Sequence, residues 1–152
     1  MIMMQPQKWY KIGQVARQLN IAVETVRMYE REGLLLPEKT ESGQRLFNED
    51  DLKWVICIRR LIKQKGLNIE GIRRMLALMP CWHLKPCTED DYTHCAFVVG
   101  GIKPCWMMKE NLPDSCKQVD CRYCSVYQGA AKCENMKKLL WQVSLEKTNN
   151  QE

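Results

Sequence analysis

Thr25-Val26-Arg27-Met28-Tyr29-Glu30-Arg31-Glu32-Gly33-Leu34-Leu35-Leu36-Pro37 is the stretch on which the fold turns. Val26 and Tyr29, with Val23 before them, recur at the spacing that puts apolar side chains on one face of a helix. Gly33 supplies the position past a helix end where a left-handed backbone is wanted. There the period changes, because Leu34-Leu35-Leu36 is a short apolar run that Pro37 stops. Upstream, Ile12, Val15, Ala16 and Leu19 form another stripe at helical spacing, which Asn20-Ile21 breaks. Two short helices joined by a tight turn make a helix-turn-helix.

Downstream, Glu41-Ser42-Gly43 is turn chemistry and Gln44-Arg45-Leu46-Phe47 can return as a strand, which predicts a small hairpin or wing. Asn48 followed by Asp51 resembles a capping box with Asp in place of the usual Glu or Gln. It opens a helix through about Lys65 with Leu52, Val55, Ile56, Arg59 and Ile62 along one side, closed by Gly66. Asn68 caps a further helix carrying Ile69, Ile72, Leu76 and Met79, and Pro80 helps to end it.

The apolar stripes are core. The informative side chains are polar: Thr25, Arg27 and Arg31 on the second helix, Lys39 and Arg45 on the wing. A helix and a wing that both present cations can straddle a phosphate backbone with the helix in the major groove. Arginine adds a planar donor fork that suits phosphate or guanine.

Tyr10-Lys11-Ile12-Gly13-Gln14-Val15-Ala16, the stretch from Thr25 to Pro37 and Ser42-Gly43-Gln44-Arg45-Leu46-Phe47 occur in this order. Together they resemble the MerR family of bacterial transcription regulators over residues 9–79. The resemblance implies a winged helix-turn-helix. Thr25 and Tyr29 would bond phosphates, Arg27 would reach phosphate or base, and Lys39 and Arg45 would hold the backbone through the wing. It also implies a homodimer on palindromic double-stranded promoter DNA, acting on RNA polymerase indirectly by distorting that DNA. Gln44, Phe47 and Met28 depart from the residues common at these places. So does Met79-Pro80-Cys81, which stops any helix where the family usually has a long dimer helix. A later stretch, within residues 129–147, has Met136, Leu139, Leu140 and Val143 at helical spacing, and either pairs two subunits or packs back on its own domain.

Charge and cysteine divide the chain at Pro80. Residues 1–80 hold 14 Lys+Arg against 9 Asp+Glu, while residues 81–152 hold 9 of each, so the excess positive charge of +5 lies in the first part. Cys57 is alone there, whereas Cys81, Cys87, Cys95, Cys105, Cys116, Cys121, Cys124 and Cys133 fall in the second. No apolar run approaches the ~18 residues of a membrane span, and Met1 to Lys11 has no secretory h-region. That predicts a cytoplasmic protein, where structural disulfides are rare and so many thiols are metal or cluster ligands. Thiolates suit both iron–sulfur clusters and zinc, and the spacing does not choose between them. The knuckle Cys121-Arg122-Tyr123-Cys124 also occurs in thiol–disulfide catalysts, but the βαβ frame these need is missing from the pattern.

Pro80-Cys81-Trp82 and Pro104-Cys105-Trp106 repeat a Cys-Trp dipeptide. With Cys87, Cys95, Cys116 and the run from Cys121 to Tyr127, this order resembles the bacterial two-CW domain over residues 80–128. Trp82 and Trp106 either shield a cluster from water or fill a small core. His83 and His94 read as surface or outlying histidines, and Cys57 as a small buried hydrophobe. The chain is thus expected to be mainly α, with a winged helix-turn-helix, then an irregular metal-stapled segment, then a terminal helix. No carboxylate pair, nucleotide loop or nucleophile–base arrangement stands out, so no enzyme is expected. The expected function is DNA-binding transcription regulation, with the cysteines sensing redox state, oxygen or metal. The other reading is a DNA-binding adaptor with structural zinc and a protein partner.

Overall fold

The computed structural model describes residues 6–79, 81–85, 88–95, 98 and 100–132. Residues 133–147 of the predicted terminal helix, Cys87 and Cys133 lie outside them, and of its described residues, 129 and 130 belong to the helix Ser125–Ala130. Strand β1 (Tyr10–Lys11) leads directly into α1 (Ile12–Leu19), and α2 spans Val23–Arg31. Strands β2 (Glu38–Lys39) and β3 (Arg45–Phe47) make the wing. Helices α3 (Glu49–Lys63) and α4 (Ile69–Ala77) complete the first part. Short helices α5 (Cys81–Leu84), α6 (Glu89–Thr93), α7 (Asp114–Lys117) and α8 (Ser125–Ala130) follow, with 3₁₀ turns at Cys105–Met107, Lys109–Asn111 and Cys121–Tyr123. The sheet order is β1-β3-β2, all antiparallel, with Tyr10 opposite Phe47 and Lys39 opposite Arg45.

Local chemistry sets the helix ends. Asn20 takes the left-handed conformation at φ 54°, which Asn tolerates better than most residues. The Asn48 side chain accepts from Asp51 N–H at 3.0 Å, and the Asp51 carboxylate accepts from Asn48 N–H at 2.8 Å, so the predicted capping box is formed. Gly33 has φ +78°, its N–H reaches the Glu30 carbonyl and Leu34 N–H reaches the Tyr29 carbonyl, the paired bonds of a Schellman end.

A Cβ on Gly33 would also stand 2.2 Å from the Met107 sulfur, a residue of the cysteine-rich part. Gly33→Ala should therefore destabilise the fold by at least the ~1–2 kcal/mol of a left-handed alanine. It should also loosen the seat of Met107. Urea unfolding reads the first effect, and a loss below about 0.5 kcal/mol would contradict this account.

One core runs through both parts. Val15, Val26, Leu34, Leu35, Phe47, Val55, Ile58 and Ile72 are fully buried, and Val126 and Ala130 of α8 join the same cluster. The residues after Pro80 are thus packed onto the helix-turn-helix. One expectation needs correcting. Ile56, read as a core position of α3, is 49 % exposed, while Trp54 and Ile58 are buried beside Leu52 and Val55. Trp54 donates its indole N–H to the Leu34 carbonyl at 2.7 Å. The wing strand after the run Leu34-Leu35-Leu36 starts at Glu38. Cys57 is buried as expected but is disulfide-bonded, so it is more than a small hydrophobe.

Candidate functional site

The second helix and the wing lie side by side. Glu30 of α2 faces both predicted wing cations: it pairs with the Arg45 guanidinium and lies 3.9 Å from Lys39 Nζ. This carboxylate orients the wing against the helix. Arg27 is exposed, 3.9 Å from Glu24, and Arg31 is 3.3 Å from the same carboxylate. Such exposed pairs are weak and open to competition by phosphate. Thr25 is half-buried and Lys39 is exposed. Tyr29 departs from the expected set, because at 2 % exposure its side chain belongs to the core and presents no free face. Its place three residues after Val26 on the apolar stripe is the signal for this.

Cysteine placement could not be read from spacing. Cys81, Cys95, Cys105, Cys116, Cys121 and Cys124 all line one cavity of about 40 Å³. Its remaining walls are chiefly apolar and include Val98, Leu112, Val119 and Val126. The residues reach it from α5, the segment before Pro104, the 3₁₀ turns, α7 and the knuckle. Burial, then repulsion from Cys81, Cys124, Cys121 and Cys116, pushes the Cys105 thiol up to about 12. Cys121 is also raised by burial, against the opposing pull of Lys109 and Lys85. The Cys105 and Cys121 thiols are thus held neutral, and cation uptake at either must displace its proton. Lys85 and Lys109 donate to the Ser115 and Val119 carbonyls at 2.9 Å and hold positive charge at the rim. Among the described residues, no three His, Cys, Asp or Glu side chains form a ready single-ion site. His94 is exposed and turned to Asp90, away from the thiols.

Between cavity and wing lies a residue that motif reading passed over. Arg122, the second residue of the knuckle, is 3 % exposed. It forms a two-pronged pair with Asp51 at 3.0 and 2.8 Å and donates to the Leu36 carbonyl. Its guanidinium also lies 5.5 Å from the Trp9 ring centre. Asp51 therefore serves two ends, cap and counter-ion, and this explains Asp where a capping box usually has Glu or Gln. Trp106 donates its indole N–H to the Gly33 carbonyl at 2.6 Å, and the Tyr127 hydroxyl accepts from Leu36 N–H at 2.9 Å. The two rings meet edge to face at 5.2 Å. Of the two roles open to Trp106, this favours packing, specifically of one part on the other.

Two short helices, a three-stranded sheet that carries the wing and two further helices define the winged helix-turn-helix class. Residues 10–78 match the family model described as "MerR HTH family regulatory protein". Those residues are a MerR-family helix-turn-helix domain. The chain is 36 % identical over 70 residues to the HTH-type transcriptional regulator ZntR of Escherichia coli K12, covering 45 % of this chain and 49 % of ZntR. It is 42 % identical over 62 residues to AdhR of Bacillus subtilis 168 (40 % and 44 %), and 43 % identical over 70 residues to YfmP of the same strain (45 % and 50 %). Both are named as HTH-type transcriptional regulators. The chain spans about half the length of the curated relatives it matches. No helix among the described residues is long and apolar enough to cross a membrane.

Proposed function

We propose that this protein is a cytoplasmic DNA-binding transcription regulator whose cysteine cavity holds an iron–sulfur cluster and responds to redox state, oxygen or iron supply. The observation that carries the metal half is the convergence of six cysteines on one chiefly apolar cavity. A tetrahedral zinc site, with Zn–S near 2.3 Å, draws its sulfurs around a point. Here the thiols stand around a space of about 40 Å³. That is more than the ~10–15 Å³ one water centre needs, and it suits a polynuclear cluster. Six thiols also exceed the four such a cluster takes. Apolar walls and two rim lysines would exclude water and balance thiolate charge. When bound, a cluster would supply one-electron chemistry. The protein's residues would hold it, shield it and read its state.

For the DNA half, Arg27, Lys39 and Arg45, with Thr25 at the helix surface, would contact a palindromic promoter as a homodimer, acting on RNA polymerase through the DNA. With duplexes selected by the protein from a random library, Arg27→Ala or Arg45→Ala should weaken binding by about 1–3 kcal/mol and flatten its salt dependence. Wild-type binding by both variants would refute the assignment. Metal and acid-labile sulfide analysis of protein purified without oxygen tests the cluster. Iron with matching sulfide and a visible band that bleaches in air is the expected result. Zinc without sulfide, colourless and indifferent to air, would instead make the cavity a structural clasp.

A further inference from the structure

The loop between α2 and the wing, residues 33–36, has few backbone partners within its own domain. Tyr29 and Trp54 serve Leu34. The Gly33 carbonyl, the Leu36 N–H and the Leu36 carbonyl are served by Trp106, Tyr127 and Arg122. Each of these three stands beside a cavity cysteine: Trp106 follows Cys105, Arg122 follows Cys121, and Tyr127 lies on the helix that begins after Cys124. Buried backbone groups need partners, so the loop's position is tied to theirs.

Arg122 is one bond short. Its Nε is buried with no hydrogen-bond partner, and a carboxylate oxygen of Glu38 is 3.8 Å away. That carboxylate is held instead by the Tyr123 hydroxyl. A second arrangement is therefore close by, in which Glu38 leaves Tyr123 and closes on Arg122 Nε. Glu38 begins β2 and the next residue is Lys39, so the exchange moves a wing cation. Arg122 and Tyr123 are the two residues between Cys121 and Cys124, and whatever fixes those sulfurs fixes the turn that carries both.

We infer that Arg122 is the positioning residue through which ligation at Cys121 and Cys124 sets the wing, by deciding whether Glu38 rests on Tyr123 or on Arg122. This deepens the function proposed above and rests on it. A ligand shifts such an equilibrium only by its differential affinity for the two states, and here the difference is the geometry it imposes on the knuckle.

The test needs no DNA. The 152-residue protein loaded with Fe²⁺ and sulfide under argon is compared with chelator-stripped protein by amide hydrogen exchange. In wild type, exchange across residues 36–47 should differ by at least about fivefold between the two forms, the lower end of ordinary site-to-site coupling. In Glu38→Gln and in Tyr123→Phe the difference should collapse, while iron and sulfide content and protection at Val26 and Ile58 stay as in wild type. A fivefold difference that survives both substitutions overturns the role of this contact. Loaded and stripped wild type that exchange alike across 36–47 overturn the coupling but leave the cluster reading intact. Protein that takes up no iron or sulfide overturns both.

Discussion

Asp51→Ala should lower the unfolding free energy by about 3–5 kcal/mol, the loss expected when one partner of a buried ion pair is removed and the other charge stays behind. The side chains of Arg122 and Asp51 are 4 % and 7 % exposed, so water cannot readily take Asp51's place. The cap is a separate contribution. Asn48→Ala removes the capping bond and keeps the ion pair, so it should cost only about 1 kcal/mol. The contrast between the two variants decides which role of Asp51 matters more. Adding Arg122→Met to Asp51→Ala should recover much of the loss, because an apolar pair of similar volume is often as stable as a buried ionic one. Urea melts of the four proteins are the measurement. An Asp51→Ala loss no larger than that of Asn48→Ala would show that the pair adds nothing beyond the cap.

The second large effect is expected at the knuckle. Replacing Cys121 and Cys124 together with serine should reduce bound metal to below about a tenth of wild type, since losing an outer partner of a ligand alone costs 10–100-fold in affinity. His94→Ala is the matching control, because His94 is exposed beside Asp90, and it should leave metal content unchanged. Full retention of metal in the double variant would place the ligands among Cys81, Cys95, Cys105 and Cys116 instead.

Much of the first part was legible. The stripe Ile12, Val15, Ala16, Leu19 coincides with α1, and Asn48, Gly33 and Asn68 mark helix ends where their side-chain or backbone chemistry requires. These features depend on bonds within a few residues, which a linear reading can follow. Strand β1 was missed because two residues show no period, and it is defined only by pairing Tyr10 with Phe47. Ile56 departs from its expected burial because a helical stripe shows which residues share a face, and burial depends on what covers that face.

In the second part the thiols were visible and their meeting was not. Residues 81 to 124 carry seven cysteines that could be grouped in many ways, and the cavity that six of them line is closed by long-range packing. Arg122 is hidden for the same reason, since between two cysteines it reads as a spacer. By itself the sequence determined the helix-turn-helix, its caps, its cationic face and the supply of soft ligands, all set by local hydrogen bonding and periodicity. Only the tertiary structure decided which thiols share a cavity, and that Asp51 and residues 33–36 complete their bonding with Arg122, Trp106 and Tyr127. The physical reason is that a buried charge or backbone group must find its partner in space, wherever along the chain that partner lies.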